Sequence, residues 1–214
     1  MFEKLFNSKI NEIADWIIRL IMLNVMMIFF SLPIITVLPA VSAGYNMFND
    51  YIEKRNPKLF KDYFRYFKEA FGRKVLIELV IIFVFVLLYF NTRYYNSSLE
   101  LRQTTFLLIG HYVSLALMAI WFAITLFSII ILRVYTKLKI IKFIKLAFFL
   151  AGKYYWITLV LVVITLSPFL LLAYPNALTA FAFIFFGLSI SLLLNVLMTK
   201  RIVLYLESLK NKNG

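Results

Sequence analysis

Residues 156–198 read WITLVLVVITLSPFLLLAYPNALTAFAFIFFGLSISLLLNVLM, without a single charged side chain, and this stretch decides the class of fold. Each half is long enough to cross a hydrocarbon core about 30 Å thick at about 1.5 Å per helical residue. Between the halves lie Tyr174, Pro175 and Asn176, and a Pro-Asn pair is typical of a turn. The stretch therefore predicts two transmembrane helices, over about 156–173 and 177–198, joined as a tight hairpin.

The rest of the chain has the same apolar character. Of its 214 residues, 63% are hydrophobic and 15% are charged, whereas soluble domains average about 45–50% and 25%. Three further apolar runs, over about 16–38, 75–90 and 105–132, are candidate spans. We therefore predict an all-α, polytopic membrane helical bundle with five transmembrane helices, formed by residues 1–214 as a single domain.

Two segments between the spans are predicted to be amphipathic helices at the membrane interface. Over about 57–71, aromatic residues recur every three or four positions, and Asn56, Pro57 and Gly72 suit the ends of a helix. Over about 134–150 a weaker apolar face is formed by Leu138, Ile141, Ile144 and Phe148. The basic side chains of both segments form a candidate surface for anionic lipid headgroups or a partner protein: Lys58, Lys61, Arg65, Lys68, Lys139, Lys142 and Lys145.

The two amphipathic segments also suggest a repeat. An offset of 80 residues superposes Gly72 and Arg73 on Gly152 and Lys153, with an amphipathic helix before each pair and a span after it. This pattern is either an internal repeat of interfacial helix and span or the usual appearance of a basic helix that enters a membrane. Both interpretations stay open at the level of sequence.

Basic residues are concentrated at one end of the predicted bundle. Segments 39–74, 133–155 and 199–214 hold 18 of the 23 Lys and Arg residues, so the net charge of +13 reflects membrane topology and not nucleic-acid binding. The positive-inside rule places these segments and the C-terminus on the cytoplasmic side of the membrane, and five spans place the N-terminus outside. In the alternative topology, Pro33 and Pro39 break the first helix, the chain turns back, and the N-terminus stays in the cytoplasm.

Glu78 is the most informative single residue. A carboxylate about one turn into a span is costly unless it is paired, protonated or in contact with water. Glu78 is therefore either a proton or ligand site, or it lies near the cytoplasmic interface, where its side chain extends toward water or pairs with Arg73 or Lys74. The position and spacing of Glu78 favour the interfacial interpretation.

Other polar residues within the spans are candidate contacts between helices. Asn24 and Asn195 are expected to form interhelical hydrogen bonds. His111 is expected near the outer end of the third span, far from Glu78, as a packing residue or a proton site. The single histidine and the absence of cysteine from the sequence exclude multi-histidine and thiolate metal sites. No catalytic motif is present, so the sequence predicts neither an enzyme nor a cofactor.

Ordered features of the first third of the chain resemble the YesL family of bacterial membrane proteins. They are Phe-Ser-Leu-Pro-Ile-Ile-Thr at 30–36, Pro-Ala-Val-Ser-Ala-Gly-Tyr at 39–45, and the Lys-Glu-Ala-Phe end of the segment 60–71. The resemblance implies a small plasma-membrane protein of uncharacterised activity, often encoded beside carbohydrate ABC transporters. It implies no catalytic or binding residue.

Two functions are compatible with these features. The first is a non-enzymatic accessory or assembly subunit of a carbohydrate ABC import system, which docks transporter subunits through its basic helices. The alternative is a small-solute or proton-coupled carrier or channel that uses Glu78 and His111. Neither function requires a particular oligomeric state.

Overall fold

The computed structural model describes residues 2–101, 104–174 and 176–212, and these residues form helices and no strand. The predicted all-α bundle is confirmed. In chain order the helices are α1 (Phe2–Ser31), α2 (Val37–Ile52), α3 (Leu59–Lys68), α4 (Phe71–Leu101), α5 (Thr105–Val134), α6 (Ile140–Lys153), α7 (Tyr155–Ala173), α8 (Ala177–Ala182) and α9 (Leu188–Lys212). A short 3₁₀ turn, Ile34–Thr36, precedes α2, and a π-helical segment, Phe183–Gly187, joins α8 to α9.

Five helical stretches of the described chain are long and apolar enough to cross a membrane, the number that the sequence predicts. They are Lys9–Ser31, Phe71–Ser98, Thr105–Val134, Tyr155–Ala173 and Ala177–Lys212. The second and fifth extend well beyond the predicted 75–90 and 177–198, because the polar residues at their ends continue the helix outside the apolar core. α4 and α5 form a long antiparallel hairpin, in which the Trp121 indole donates to the Ile81 carbonyl at 3.2 Å.

The run predicted as one span over 16–38 is two helices. α1 ends at Ser31, and Val37 begins α2, a helix that the sequence does not predict. α2 is buried along almost its whole length, including the polar side chains of Asn46, Asn49 and Asp50. α2 has 16 residues and one charged side chain, Asp50, so its sequence has neither the length of a span nor the charged face of a surface helix.

α2 runs back along α1. Trp16 packs edge-on against Tyr51, with ring centroids 6.2 Å apart, and a side chain added at Gly44 would collide with Met27. Pro33 lies in the turn between the helices, as the cap residue of the 3₁₀ segment. Pro39, the other predicted break, is instead the third residue of α2, where a missing backbone N–H is tolerated. The chain therefore turns back between Ser31 and Val37, as in the alternative topology.

α3 is shorter than the predicted 57–71 and is attached to α2 by a buried side chain. Its cap residue is Lys58, whose backbone N–H bonds the Asp62 carboxylate at 2.6 Å, so Asn56 and Pro57 lie before the helix. The helix ends before Ala70, which has a positive φ of 51°, and Gly72 belongs to α4. Tyr63 is fully buried and donates to the Ala40 carbonyl at 3.2 Å, which attaches α3 to α2.

α6 also differs from its predicted pattern. It begins at Ile140 and not at 134, and its buried face is formed by Phe143, Ala147 and Leu150. Of the predicted apolar face, Ile141 and Phe148 are exposed. The order of short helix and long helix does recur in α3–α4 and α6–α7, but Gly72 lies at the start of α4 whereas Gly152 lies near the end of α6. The two glycines therefore do not occupy equivalent positions.

The turn between α7 and α8 ends in a capping box at the start of α8. Asn176 caps α8: its side chain accepts from the Thr179 N–H at 2.9 Å, and the Thr179 hydroxyl accepts from the Asn176 N–H at 3.1 Å. Pro175, predicted as a helix break, lies outside the described residues.

One end of the bundle gathers the ends of several helices. The Lys210 ammonium donates to the Val134 carbonyl at 3.0 Å, which joins the C-terminal ends of α9 and α5. The Arg133 guanidinium donates to the Asn46 side chain at 2.9 Å and lies 3.9 Å from Glu53, which brings in the C-terminal half of α2. We call this the basic end, because the sequence concentrates Lys and Arg here.

Candidate functional site

A cavity of about 610 Å³ lies in the middle of the bundle. Residues of α1, α2, α4, α5, α7, the π-helical segment and α9 line it. Fifteen of the 23 lining residues are apolar, and the others are Ser31, Tyr45, Glu78, Thr125, Thr165, Ser191, Asn195 and Thr199. This volume, mainly apolar lining and small set of polar groups are typical of a small-molecule site.

Glu78 is the charged residue of this cavity, and it caps α2. One carboxylate oxygen accepts the backbone N–H of Leu38 at 2.6 Å, while the neighbouring Val37 N–H bonds the Ile34 carbonyl and Pro39 has no N–H. At the first three positions of α2, each backbone N–H that is present therefore has an acceptor, and the Glu78 carboxylate of α4 is one of them. A helix N-terminus carries about half a positive charge, so Glu78 also offsets the dipole of α2.

The predicted pairing of Glu78 with Arg73 or Lys74 is wrong. The Lys74 ammonium donates to the Tyr66 carbonyl of α3 at 2.6 Å, and no described ion pair includes Glu78. Four residues separate Lys74 and Glu78, but Lys74 reaches α3 whereas Glu78 reaches α2. The free N-terminus of α2, which lies 40 residues away in sequence, is the partner that the local spacing did not reveal.

The π-helical segment borders the cavity on another side, and Asn24 of α1 satisfies it. The Asn24 amide donates to the carbonyls of Phe183 at 3.0 Å and Ile184 at 2.6 Å, and its oxygen accepts the Ser189 N–H at 2.7 Å. A π-helical segment displaces the regular hydrogen-bond pattern, which leaves such groups in need of partners. Asn24 therefore forms the predicted interhelical hydrogen bonds, and they satisfy the backbone of the π-helical segment.

After the turn before α2 and the π-helical segment, a third interruption of regular helical structure lies in α7. Pro168 has no N–H to donate to the Ile164 carbonyl, the regular partner four residues earlier. Ser167 of the same helix and Ser191 of α9 both donate to this carbonyl, each at 2.8 Å. Three interruptions of regular helix therefore lie around the cavity: the turn before α2, the π-helical segment and the Pro168 region of α7. Hydrogen bonds from Glu78, Asn24 and Ser191 give partners to backbone groups at these places, as the interior of a membrane requires.

The remaining polar groups of the cavity mostly bond one another. Tyr45 and Thr199 share a hydrogen bond of 2.6 Å, and the Asn195 amide donates to the Thr165 hydroxyl at 3.2 Å. The Asn195 oxygen and the Ser31 hydroxyl are buried without a partner among the described atoms. These two groups and the second oxygen of Glu78 remain for a bound molecule.

His111 does not belong to this site. It lies 14 residues before Thr125 on α5, about 21 Å along the helix at about 1.5 Å per residue. Its ring packs edge-on against Tyr112, and its Nδ1 atom is buried without a described partner. A joint role of Glu78 and His111 at one site is excluded by this separation.

The basic end holds a second, more open cleft of about 450 Å³. Tyr66 of α3 donates to the Asp50 carboxylate of α2 there, and burial, followed by this hydrogen bond, raises the pKa of Tyr66. Arg55 lies 3.6 Å from Asp50, and Arg65 lies 2.8 Å from Asp62. Lys58, Lys61 and Lys68 of the α3 region are exposed, as are Lys139, Lys142 and Lys145 of the α6 region.

The comparisons with known proteins concern the first part of the chain. Residues 20–92 match the family described as Protein of unknown function, DUF624. The matched region contains Asn24, the turn between α1 and α2, Tyr45, α3 and Glu78. No curated protein and no solved structure gave a significant match.

Sequence reasoning identified part of this site. It singled out Glu78, Asn195 and Asn24, because polar residues in apolar runs are conspicuous. It missed Tyr45, Ser191 and Thr199, since hydroxyl residues in a membrane helix are common and usually bond their own backbone. Within the described chain, no group of three or more His, Cys, Asp or Glu residues lies close enough to hold a metal ion.

Proposed function

We propose that this protein is a membrane carrier whose binding site is the cavity at Glu78. The observation that carries the proposal is a buried carboxylate, 6% exposed, facing a cavity of about 610 Å³ inside a bundle of membrane-spanning helices. A cavity of this size has room for a small organic molecule. Keeping a carboxylate within a membrane protein is costly, which favours a functional reason for it.

The irregular helices around the cavity support the same function. Transporters bind solutes where helices are interrupted, because the freed backbone and dipole ends contact the solute and the breaks act as hinges. Here the turn between α1 and α2 and the π-helical segment border one cavity, and Thr165 and Phe169, on either side of Pro168 in α7, line it as well. Each is stabilised by a few hydrogen bonds and not by a continuous helical ladder, so each is a place where the helices can bend.

A cysteine accessibility experiment tests the proposal, and the absence of cysteine from the sequence makes it direct. We would prepare Thr165→Cys, which faces the cavity, and Val163→Cys as the matched control, because Val163 is 68% exposed on the outer surface of the same helix. Membrane-impermeant thiosulfonates, one cationic and one anionic, would be applied from either side of sealed vesicles.

A carrier predicts that Thr165→Cys is modified from both sides by at least one reagent, and roughly tenfold faster than Val163→Cys, because a thiol in lipid stays protonated and unreactive. Modification from one side only, or equal slow rates for both variants, would contradict the carrier. Mass spectrometry of the intact protein gives the rate of modification.

A second candidate function rests on the exposed lysines of α3 and α6. We propose, as an alternative, an accessory subunit of a carbohydrate ABC import system, with the resemblance to the YesL family as its support. Three lysines of the α6 region, Lys139, Lys142 and Lys145, are exposed at the basic end, where a transporter subunit or anionic lipid headgroups would contact them.

Affinity purification from the native host, grown on the relevant sugar, tests this alternative. The wild-type chain should recover ABC transporter subunits, and replacement of Lys139, Lys142 and Lys145 by Glu should abolish the recovery. Replacement of Lys212 by Glu is the control at the same end of the bundle, because Lys212 is exposed. Recovery of the wild-type chain alone would contradict the accessory function.

A further inference from the structure

The charge of the cavity at Glu78 limits what it can bind. Of the described residues that line it, Glu78 is the only charged one, and α1, α2, α5, α7 and α9 contribute neither a cation nor a second carboxylate. The nearest cation along α4, Lys74, bonds Tyr66 instead. A molecule in this cavity therefore meets one uncompensated acid in surroundings of low polarity, where an electrostatic interaction is much stronger than in water.

The N-terminus of α2 does not reverse this preference. Such a helix end attracts anions through its free N–H groups. Here the Leu38 N–H already bonds Glu78, the Val37 N–H bonds Ile34, and Pro39 has none. An anion would find no free donor in that turn and would lie beside a carboxylate.

Three of the six hydroxyl groups that line the cavity already donate to backbone carbonyls, and the Ser31 hydroxyl, which has no described partner, can donate or accept. Thr125, Thr199 and Ser191 donate to the carbonyls of Phe122, Asn195 and Ile164, at 2.7, 2.7 and 2.8 Å. The acceptors, in contrast, are underused: the Asn195 oxygen has no described partner, and the only described hydrogen bond of Glu78 engages one of its two oxygens. A ligand that contacts Glu78 and the Asn195 oxygen must supply positive charge or hydrogen-bond donors.

The apolar part of the lining determines the rest of the ligand. Phe85 and Phe122 form an edge-on pair with centroids 6.4 Å apart, and Phe169 and Phe183 form a second pair 6.1 Å apart. All four rings line the cavity. Aromatic faces contact apolar bodies well and also attract cations.

We propose that the cavity binds a lipophilic organic cation, with its charged group beside Glu78 and its apolar body among the rings of Phe85, Phe122, Phe169 and Phe183. This inference rests on the proposed carrier function and names its substrate class. A sugar is a poor match for the cavity, because its many hydroxyl groups would find few partners on walls that are mostly aliphatic and aromatic.

A pair of probes of equal shape and opposite charge tests the proposal on the full chain in detergent. Tetraphenylphosphonium is the cation and tetraphenylborate is the anion. The variant Glu78→Gln removes the charge but keeps an oxygen that can accept the Leu38 N–H, so the cap is retained. Glu69→Gln is the matched control, since Glu69 is exposed just before α4 and does not line the cavity.

We expect the wild-type chain and Glu69→Gln to bind the cation at least about tenfold more tightly than the anion, and Glu78→Gln to lose at least about tenfold in cation affinity. Anion binding should stay equally weak in all three. Calorimetry gives the affinities, and melting curves verify that Glu78→Gln is folded.

The proposal is overturned if wild type and folded Glu78→Gln bind the cation equally, or if the anion binds as tightly as the cation. Such a result with a Thr165→Cys thiol that is reactive from both sides would leave the carrier intact and reject only its substrate class. An unreactive thiol would reject the carrier itself. If Glu78→Gln does not fold, protection of Thr165→Cys by the cation but not by the anion decides the same question.

Discussion

At the level of single residues, Glu78 has two tasks that involve different atoms. One oxygen accepts the Leu38 N–H and completes the first turn of α2, while the carboxyl group also borders the cavity. The cap explains why the fold tolerates a carboxylate here, because a buried N–H without a partner is itself costly. A substitution can separate the tasks, since the cap needs only an oxygen.

Replacement of Glu78 by Leu should therefore destabilise the protein by about 1–3 kcal/mol, the cost of leaving a buried N–H unsatisfied. Glu78→Gln should lose much less, because its side-chain carbonyl can accept the same N–H. Denaturant unfolding of both variants in mixed micelles, followed by tryptophan fluorescence, measures the difference.

Glu69→Leu serves as the control for this comparison and should be close to neutral, because Glu69 is exposed. Equal stability of Glu78→Leu and Glu78→Gln would mean that the hydrogen bond to Leu38 contributes nothing to folding.

At the level of helices, the contrast between α2 and the spans shows what the sequence can predict. A span is recognised from its composition alone, because lipid demands apolar side chains along about 20 residues. α2 is surrounded by protein, so its residue types are determined by contacts with other helices. Gly44 leaves room for Met27, and Asn46 accepts a hydrogen bond from Arg133. Contacts with residues that are distant in sequence cannot be derived from local spacing, which is why α2 and the cap by Glu78 were not predicted.

The π-helical segment depends on a helix that it meets only in the folded chain. Asn24 supplies three hydrogen bonds to Phe183, Ile184 and Ser189, whereas Asn195 supplies one to Thr165. Asn24→Leu should therefore lose more stability than Asn195→Leu, by about 1–3 kcal/mol, because it leaves buried backbone groups without partners.

The same micelle unfolding measurement compares the two asparagine variants, which change the same atoms at two sites. A smaller loss for Asn24→Leu than for Asn195→Leu would mean that the π-helical segment is stable without Asn24. The stability of the π-helical segment would then come from the packing of its phenylalanine side chains.

At the scale of the whole molecule, the turn between α1 and α2 decides the membrane topology. The hydropathy of 16–38 alone favoured a single crossing and an external N-terminus. In the fold, Trp16 lies beside Tyr51, and the C-terminal half of α2 contacts Arg133 at the basic end. The residues before Trp16 are therefore at the same end of the bundle as the C-terminal ends of α5 and α9.

We predict that α1 and α2 form a re-entrant hairpin and that Lys9 and Lys212 face the same side of the membrane. This arrangement also brings Lys9 to the side where most basic residues lie, as the positive-inside rule favours. Leu32 and Ile34, in the turn of the hairpin, are 71% and 70% exposed, which suits contact of their apolar side chains with lipid.

Single cysteines at these positions measure the topology. Lys9→Cys and Lys212→Cys should both react with a membrane-impermeant maleimide in inside-out vesicles and be protected in intact cells. Thr104→Cys, in the connection between α4 and α5, should show the opposite pattern and controls for leaky membranes. If Lys9→Cys instead followed Thr104→Cys, α1 would cross the membrane completely. That result would reject the re-entrant hairpin.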